Sequence, residues 1–502
     1  MKETIGSDIC FADAMRDLVN FSFLDLNVGT GEYSMHNCIH DWTLECLNKD
    51  VSTANFWFAI SCTAHPIRGK DLDDLTRPEW RQLTAHAARL SHRRLLNECL
   101  LADEPSSQCQ DVDKINELLG AQAQYDAAIQ ISQRLLVLHQ ETGESQSLRM
   151  AKLYHSLGSS YMGAGKYGKA EENLQRALQE RRKQLGAQAL PTLRTTFQLG
   201  RLYLYRRDYE NAEPLLRRAY EGLESAPDGG PRHEYTLDAV RSLAFLYERQ
   251  KRLNEAGKLI RRALNGHENE TDLETCPPVI VRLVYQLVWV YIRWGSGGKL
   301  EDAERLGERL LKALERRYGP LHPLTLNAVG AMAELHRIQG RLQEAEDEFA
   351  RVLKGRSQIL GNDHPDTVTA RYSLALVYCD QKRWAEAREI LEDVVRDEKR
   401  LLGTEHPDVY DNLVFLGEVY HMQEELEESE EAFREALTLA KQMANGQEKV
   451  ADVQWWLDHL EETRNNGGVC DCGRRKLTSR KVSILRKIQW AVQLASKIVW
   501  KP

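Results

Sequence analysis

The chain has 502 residues, 28% of them charged and 42% hydrophobic, with a formal net charge of −8. This length predicts at least two domains, and no apolar run approaches the ~20 residues of a membrane span. The ten cysteines lack paired spacing and no secretory signal core follows Glu3, so we expect free thiols and a cytoplasmic protein.

The first predicted elements form a mixed module. Phe11–Val19 is typical of a short helix, and Phe21–Leu26 alternates like a strand. A glycine-containing turn follows, and then a second strand at Tyr33–His36 and a helix at His40–Leu47. Helix, hairpin and helix together predict a partial winged-helix-like module over residues 1–62, and a helical linker follows it up to residue 110.

Eight small residues then recur at a nearly fixed interval. Their successive separations are 42, 42, 44, 47, 42, 42 and 42 residues. They are Ala128, Ala170, Ala212, Ala256, Ala303, Ala345, Ala387 and Ser429. Self-similarity at such a period indicates stacked repeats, so we expect eight repeats over residues 111–443. A stacked array buries its core between neighbours and presents long binding surfaces.

Each repeat reads as two helices. In the second repeat, Leu157, Gly158 and Tyr161 share one face of the first helix, and Ala170 and Leu174 share one face of the second. This pattern resembles the tetratricopeptide repeat, whose common period is about 34 residues. The resemblance implies an all-α fold, a right-handed tetratricopeptide superhelix (an α-solenoid) with a small N-terminal winged-helix-like remnant.

The turns between repeats indicate which class of tetratricopeptide repeat the chain resembles. Gly319–Pro323, Gly361–Pro365 and Gly403–Pro407 each begin with glycine and end in His-Pro, again 42 residues apart. Glycine suits the end of one helix, and proline suits the start of the next. The long repeat with these turns resembles the repeats of kinesin light chain.

The head carries a second resemblance. The string Tyr33–Trp42, together with Arg77–Leu83 and the pair His86-Ala87, is similar to fungal nucleotide-binding receptors of the STAND (NLR-type) class. In that family a long tetratricopeptide array follows a winged helix, and an ATPase core with a GxxxxGK[ST] loop lies upstream. No such loop occurs here, because Tyr167 follows Gly163–Lys166 where Ser or Thr would bind magnesium. We therefore expect no nucleotide switching and no cofactor.

The segment after the repeats changes character. A capping helix is predicted over 444–466, and a flexible, basic amphipathic tail over 467–502. Nine basic residues and no acidic residue follow Asp471. Three interpretations of this tail stay open: it covers the last repeat, it contacts a partner or an anionic membrane surface through residues 474–502, or it is disordered.

No cluster of residues in the sequence strongly indicates a metal site or a catalytic site. His36, Cys38 and His40 lie close together, but no CxxC accompanies them, so we expect no metal site. Cys470 and Cys472 are interpreted as incidental thiols, with a redox or acylation role as the alternative. No Ser-His-Asp arrangement is visible, so we expect no catalytic residue and no enzymatic activity.

The concave groove of the array is the candidate site. Counting from the Leu-Gly pair places seven basic residues inward: Lys152, Arg194, Arg201, Arg241, Arg249, Arg282 and Arg293. The last three repeats instead place Asn327, Glu334, Thr369, Asp380, Asp411 and Glu418 there. Arginines can hold carboxylates of an extended peptide through charge-assisted bonds. The alternative is a solvated face that only keeps the array soluble.

The sequence therefore predicts a protein–protein interaction scaffold or adaptor, with a protein or peptide partner of acidic character. The acidic array, and arginines without interleaved aromatic residues, argue against nucleic acid. Two alternatives are the sensor half of a truncated STAND/NLR-type receptor and an adaptor recruited to a membrane surface by the basic C-terminal helix. The oligomeric state and the identity of the partner stay open.

Overall fold

The computed structural model describes residues 24–27, 32–35 and most of 115–465. Within the last range, the described residues exclude 117, 121–123, 142–147, 227–229, 266–272, 297, 404–406 and 444–446. The chain divides into two compact units, Met1–Gly165 and Lys166–Pro502.

The first unit contains a hairpin and helices. Its elements of known bounds are β1 (Leu24–Asn27), β2 (Glu32–Met35), α1 (Tyr125–Glu141) and α2 (Leu148–Gly163). The strands are antiparallel, with Leu24 opposite Met35. The predicted hairpin is thus confirmed: β2 lies one residue before its predicted position, and β1 ends one residue later than predicted. The other predicted elements of the winged-helix-like module, and the linker over 63–110, lie outside the described residues.

The second unit is helical throughout its described part. Its helices are α3 (Tyr167–Leu185), α4 (Leu190–Tyr205), α5 (Tyr209–Ser225), α6 (Glu234–Arg249), α7 (Leu253–Asn265), α8 (Pro278–Trp294), α9 (Lys299–Tyr318), α10 (Pro323–Ile338), α11 (Leu342–Leu360), α12 (Pro365–Asp380), α13 (Trp384–Leu402), α14 (Pro407–Met422), α15 (Leu426–Gln442) and α16 (Gln447–Asn465). From α4 to α15, each helix packs mainly against the preceding and the following helix. The pairs α4/α5 to α14/α15 are the repeats, and the even-numbered member of each pair is called its first helix.

The recurring small residues lie where the helices pack most closely. All eight, from Ala128 to Ser429, have no exposed surface. Ser429 takes the place of alanine because its hydroxyl donates to the carbonyl oxygen of Gly417 at 2.8 Å. A Cβ atom at Gly417 would lie 2.8 Å from the Phe433 ring, so glycine makes room for that ring. The small-residue period therefore records the helix crossings.

The Gly-to-His-Pro turns work as predicted, with one addition. Gly361 ends α11 at φ 87°, a left-handed region that glycine favours, and Pro365 begins α12. The addition is the histidine: His364 Nδ1 accepts the backbone N–H of Asp366 at 3.2 Å, which caps α12. His322 caps α10 in the same way. His406, at the third turn, lies outside the described residues.

The apolar core is distributed along the array. One cluster of buried side chains extends from Leu193 to Leu335, and another from Val368 to Leu460. The second cluster includes α16, whose Trp456 stacks on Phe433 of α15 with ring centroids 5.2 Å apart. The segment predicted to cap the array therefore contributes buried side chains to its last pair.

A periodic ion pair joins successive second helices. At three junctions the residue after the small marker residue contacts the residue four positions before the next marker: Glu213 with Arg252 (2.9 Å), Glu304 with Arg341 (2.5 Å) and Glu346 with Arg383 (3.0 Å). At the last junction the charges are exchanged, and Arg388 contacts Glu425 at 2.5 Å. The exchange preserves attraction at this junction.

We expect Arg388→Glu to lower the thermal midpoint of the array, because it brings a second carboxylate against Glu425. The pair is about one-third exposed, so the cost is about 1 kcal/mol or less. The double variant Arg388→Glu/Glu425→Arg restores an attractive pair in the orientation of the other junctions and recovers most of the loss. Thermal unfolding followed by circular dichroism checks this. Equal losses in the single and double variants would contradict it.

Candidate functional site

The first helices of the second unit contact one another, from α4 to α6, from α6 to α8 and from α8 to α10. Each first helix except α10 has a leucine in the place of Leu157 of the second repeat, which we call the repeat leucine: Leu199, Leu243, Leu287, Leu374 and Leu416. The residues two and five positions before the repeat leucine, and two and six positions after it, lie on one side of the helix. Met332 takes the place of that leucine in α10. We call the surface formed by these residues on α4, α6, α8, α10, α12 and α14 the first-helix face.

The first three helices of this face carry arginine and aromatic side chains. Their twelve face positions hold six arginines, five aromatic residues and one aspartate. They are Arg194, Phe197, Arg201 and Tyr205 on α4, Asp238, Arg241, Phe245 and Arg249 on α6, and Arg282, Tyr285, Trp289 and Arg293 on α8. The six arginines are those predicted for the groove. Lys152, the seventh predicted residue, is an exposed side chain of α2 in the first unit.

Arg241 is the most deeply buried cation at the centre of these three helices. It is 8% exposed, and its guanidinium contacts Asp238, one turn earlier, at 3.1 Å. Burial lowers the pKa of Arg241 to about 10, Asp238 opposes the shift, and the like charges of Arg282 and Arg201 add to it. Arg241 therefore stays charged at neutral pH, with two other cations close by.

The arginines of α4 are oriented by aromatic rings. The Arg194 guanidinium lies 3.9 Å from the centroid of the Tyr235 ring of α6. Arg201 lies 5.6 Å from the Phe197 ring and donates to the Tyr205 hydroxyl at 3.2 Å. Both arginines are half-buried. Stacking on aromatic faces fixes the plane of a guanidinium, which prepares it for a planar or tetrahedral anion.

Arg249 and Arg293, in the last turns of α6 and α8, differ from each other in their contacts. Arg249 is half-buried, and its guanidinium lies 5.8 Å from the Phe245 ring. The Arg293 side chain is 9% exposed and donates to Glu248 at 2.9 Å, and Gln286 donates to the same carboxylate at 2.7 Å. Arg293 therefore holds α8 against α6. The sequence could not indicate this role, because Glu248 is 45 positions away.

The remaining three helices give the face the opposite charge. The same twelve positions of α10, α12 and α14 hold four carboxylates and no basic residue. The carboxylates are Glu334, Asp380, Asp411 and Glu418. Arg337 neutralises part of this charge, since it bonds Glu334 at 2.8 Å and also contacts Asp380. The predicted change from a basic to an acidic face thus has a structural counterpart.

One argument from the sequence was wrong. The predicted arginines do have interleaved aromatic neighbours, among them Phe197, Tyr205 and Phe245. The exclusion of nucleic acid therefore depends on the acidic half of the face, which would repel a phosphate backbone.

Other predicted features are placed as follows. Gly163 is the last residue of α2 and Gly165 lies in the turn after it, which is not a strand-to-helix phosphate loop. His36, Cys38, His40, Cys470 and Cys472 lie outside the described residues. Among the described residues, no three His, Cys, Asp or Glu side chains group as metal ligands. No helix in the described part of the chain is long and apolar enough to cross a membrane.

Comparison with known proteins identifies the repeat. A family model described as tetratricopeptide repeat matches residues 149–225, 297–358, 327–396 and 366–442. No curated protein sequence matches the chain.

Solved structures share the fold at low sequence identity. The nearly identical TPR-like repeats assigned to a kinesin light chain of Podospora anserina are 20% identical, with 41% of this chain and 96% of that chain covered and a TM-score of 0.37. The quorum sensor NprR of Bacillus thuringiensis is 12% identical, with 72% and 92% covered and a TM-score of 0.50. Aspartyl phosphate phosphatase F of Bacillus subtilis is 14% identical, with 79% and 96% covered and a TM-score of 0.46.

The helix pairs, the buried small residues and the matched stretches agree with one another. The chain therefore contains tetratricopeptide repeats, and its repeat region has an α-solenoid fold.

Proposed function

We propose that this protein is an interaction scaffold that holds an acidic segment of a partner protein on the first-helix face of α4, α6 and α8. Tetratricopeptide arrays are typical of protein–protein interaction scaffolds. The observation that carries the proposal is the composition of twelve neighbouring face positions: six arginines and five aromatic residues against one carboxylate. Phe197 and Trp289 are buried, and the rings of Tyr205, Phe245 and Tyr285 are partly exposed. A face needed only for solubility would mix both charges and carry few such rings.

The chemistry of these residues defines the segment. Arginine forms charge-assisted, frequently bidentate bonds with carboxylates, so acidic side chains suit Arg201, Arg249 and Arg282. The half-buried rings of Tyr205 and Phe245 provide apolar contact between those arginines. Aromatic residues and arginine are also the side chains that contribute most to protein interfaces. An extended segment with alternating acidic and apolar residues fits this arrangement.

Two further proposals concern the head and the compartment. The antiparallel hairpin of β1 and β2 favours the sensor half of a STAND/NLR-type receptor as a second candidate. A full-length transcript with an in-frame phosphate loop upstream would support that candidate. The absence of paired spacing among the cysteines of the sequence favours a reducing compartment such as the cytoplasm. Membrane recruitment through 474–502 concerns residues outside the described ones and stays a prediction.

We expect Arg201→Glu/Arg249→Glu to weaken binding of acidic peptides about tenfold or more, because both arginines are half-buried on the face and reversal adds repulsion. The probe is a fluorescein-labelled pool of peptides of about twelve residues, rich in glutamate, which spans three helices ~10 Å apart at ~3.3 Å per residue. Fluorescence anisotropy measures the dissociation constant.

The matched control is Arg182→Glu/Arg218→Glu, which makes the same change of charge at two exposed positions of the second helices α3 and α5. This control separates a local effect from a change in net charge. Equal binding by both double variants and the unsubstituted protein, or a preference for a lysine-rich pool, would rule out the face as the site.

A further inference from the structure

Exposed carboxylates surround the point where the chain leaves α16, the last described helix. The start of α15 and the end of α16 lie together there, because the Arg464 guanidinium of α16 contacts Glu430 of α15 at 2.5 Å and donates to the carbonyl oxygen of Leu426 at 3.4 Å. Six exposed glutamates lie within a few residues of these contacts. We call the surface that they form the exit surface: Glu424, Glu427, Glu428, Glu431, Glu461 and Glu462.

Few cations lie near the exit surface. No lysine or arginine occurs between Met422 and Arg434 in the sequence. Arg434 and Arg464 both contact Glu430, each at 2.5 Å, which is not one of the six glutamates. Within the described part of the chain, none of the six carboxylates of the exit surface has an ion-pair or hydrogen-bond partner. Like charges that lie four positions apart on a helix, as Glu427 and Glu431 do, repel each other.

The helix dipoles stabilise only some of these carboxylates. A negative charge is favourable in the first turn of a helix, where Glu427 and Glu428 lie in α15. Glu461 and Glu462 instead lie near the C-terminal end of α16, where the dipole disfavours a negative charge. A cation from outside these two helices would remove both this unfavourable interaction and the repulsion within α15.

The sequence that follows α16 supplies such cations. Residues 474–481 begin nine positions after Asn465, and five of these eight residues are basic and none is acidic. Nine residues span up to about 30 Å, whereas Glu462 lies less than one helical turn from Asn465. A short tether gives an effective concentration on the order of millimolar, which favours the same chain over a second copy.

We propose that residues 474–481 dock on the exit surface of their own chain, with five cations against six carboxylates. This inference is independent of the proposed function, because the exit surface contains none of the residues of the first-helix face. Docked basic residues are withheld from an anionic membrane or an acidic partner, and their release makes them accessible. Exposed ion pairs contribute little individually and are screened by salt, so the docking is reversible and sensitive to ionic strength.

Cross-linking of the full chain with a carbodiimide, which joins an amine to a carboxylate that it contacts, tests the proposal. An equal mixture of isotopically labelled and unlabelled protein is cross-linked at low salt, and mass spectrometry of the digest identifies the joined residues. We expect links from Lys476 or Lys481 to glutamates of the exit surface, with both residues from one isotopic form. These links should be lost at about 1 M salt, where the Debye length is about 3 Å.

Proteolysis of variants gives a second measurement. Trypsin cleaves after arginine and lysine, and a docked segment enters its active site only after release. We expect cleavage within residues 474–481 to be about fivefold faster at low salt in the variant Glu427→Gln/Glu431→Gln/Glu462→Gln. The control makes the same change at three exposed glutamates of α9 and α13 and should leave the rate unchanged: Glu301→Gln/Glu308→Gln/Glu389→Gln. Circular dichroism verifies that both variants are folded.

Three outcomes would overturn the proposal. Links between labelled and unlabelled chains would assign the basic segment to a second copy. Loss of the intrachain links when phosphatidylserine vesicles are added, with sedimentation of the chain, would assign it to a membrane surface. Absence of links to the exit surface, or equal cleavage of both variants and the unsubstituted protein, would mean that the segment does not dock there. None of these outcomes affects the proposed function of the first-helix face.

Discussion

Replacing Glu398 by glutamine should make the array increasingly more stable as the pH rises from 4.5 to about 8, and leave its stability nearly unchanged below pH 4.5. Glu398 lies on α13, is 2% exposed, and accepts a hydrogen bond from the Asn412 side chain of α14 at 2.6 Å. Burial raises the pKa of its carboxyl from 4.5 to about 8, and the carboxylates of Asp408 and Asp411 add to the shift. The folded protein therefore holds this proton at neutral pH.

The direction of the pH effect follows from the raised pKa. Between pH 4.5 and about 8 the unfolded chain has lost the Glu398 proton and the folded chain has kept it. The contribution of Glu398 to stability is therefore most favourable in acid and falls by about 1.4 kcal/mol per pH unit through this window. Glutamine keeps the shape and the bond from Asn412 but does not ionise, so the variant lacks this fall.

Chemical denaturation from pH 5 to pH 9 measures the effect. The difference in unfolding free energy between Glu398→Gln and the unsubstituted protein should grow with pH by up to several kcal/mol and level off near pH 8. Glu389→Gln, at an exposed position of the same helix, is the control and should show no such growth. A constant difference at every pH would refute the buried, protonated state of Glu398.

A second large effect is expected at the small residues. Ala387 is fully buried in the first turn of α13, where this helix packs against α12. Leucine at this position forces the helices apart or into strained side-chain conformations, at a cost of about 1–3 kcal/mol. We expect Ala387→Leu to lower the midpoint of thermal unfolding by several degrees.

The control for this substitution lies two residues away. Ala385 is exposed in the same turn, and alanine and leucine have similar helix propensities, so Ala385→Leu should change stability by about 0.5 kcal/mol or less. Comparable losses at both positions would mean that the small-residue period does not mark close helix crossings.

Much of the fold was predictable because stacked repeats restate their packing rule in every unit. Ala128 and Ala387 occupy the same place in different repeats, and both are fully buried. The positions of the groove arginines followed from the same counting, since helical spacing fixes which residues share a side.

Other features depended on contacts that spacing does not encode. The partner of Arg293 is Glu248, and their separation of 45 residues departs from the 42-residue period. The burial of Glu398 required knowing that α14 covers this part of α13. The aromatic residues of the first-helix face were predictable from the sequence. Phe245 and Tyr285 occupy positions that the same count from the repeat leucine assigns to the face.

The exchanged ion pair between Arg388 and Glu425 also bears on the modularity of the array. Loss of the α10/α11 repeat would join Glu304 to Arg383, which is still a pair of opposite charges. Loss of the α12/α13 repeat would join Glu346 to Glu425, two carboxylates. Repeats of equal length are therefore not fully interchangeable, and recombination within this gene can shorten the array without electrostatic repulsion at some junctions but not at others.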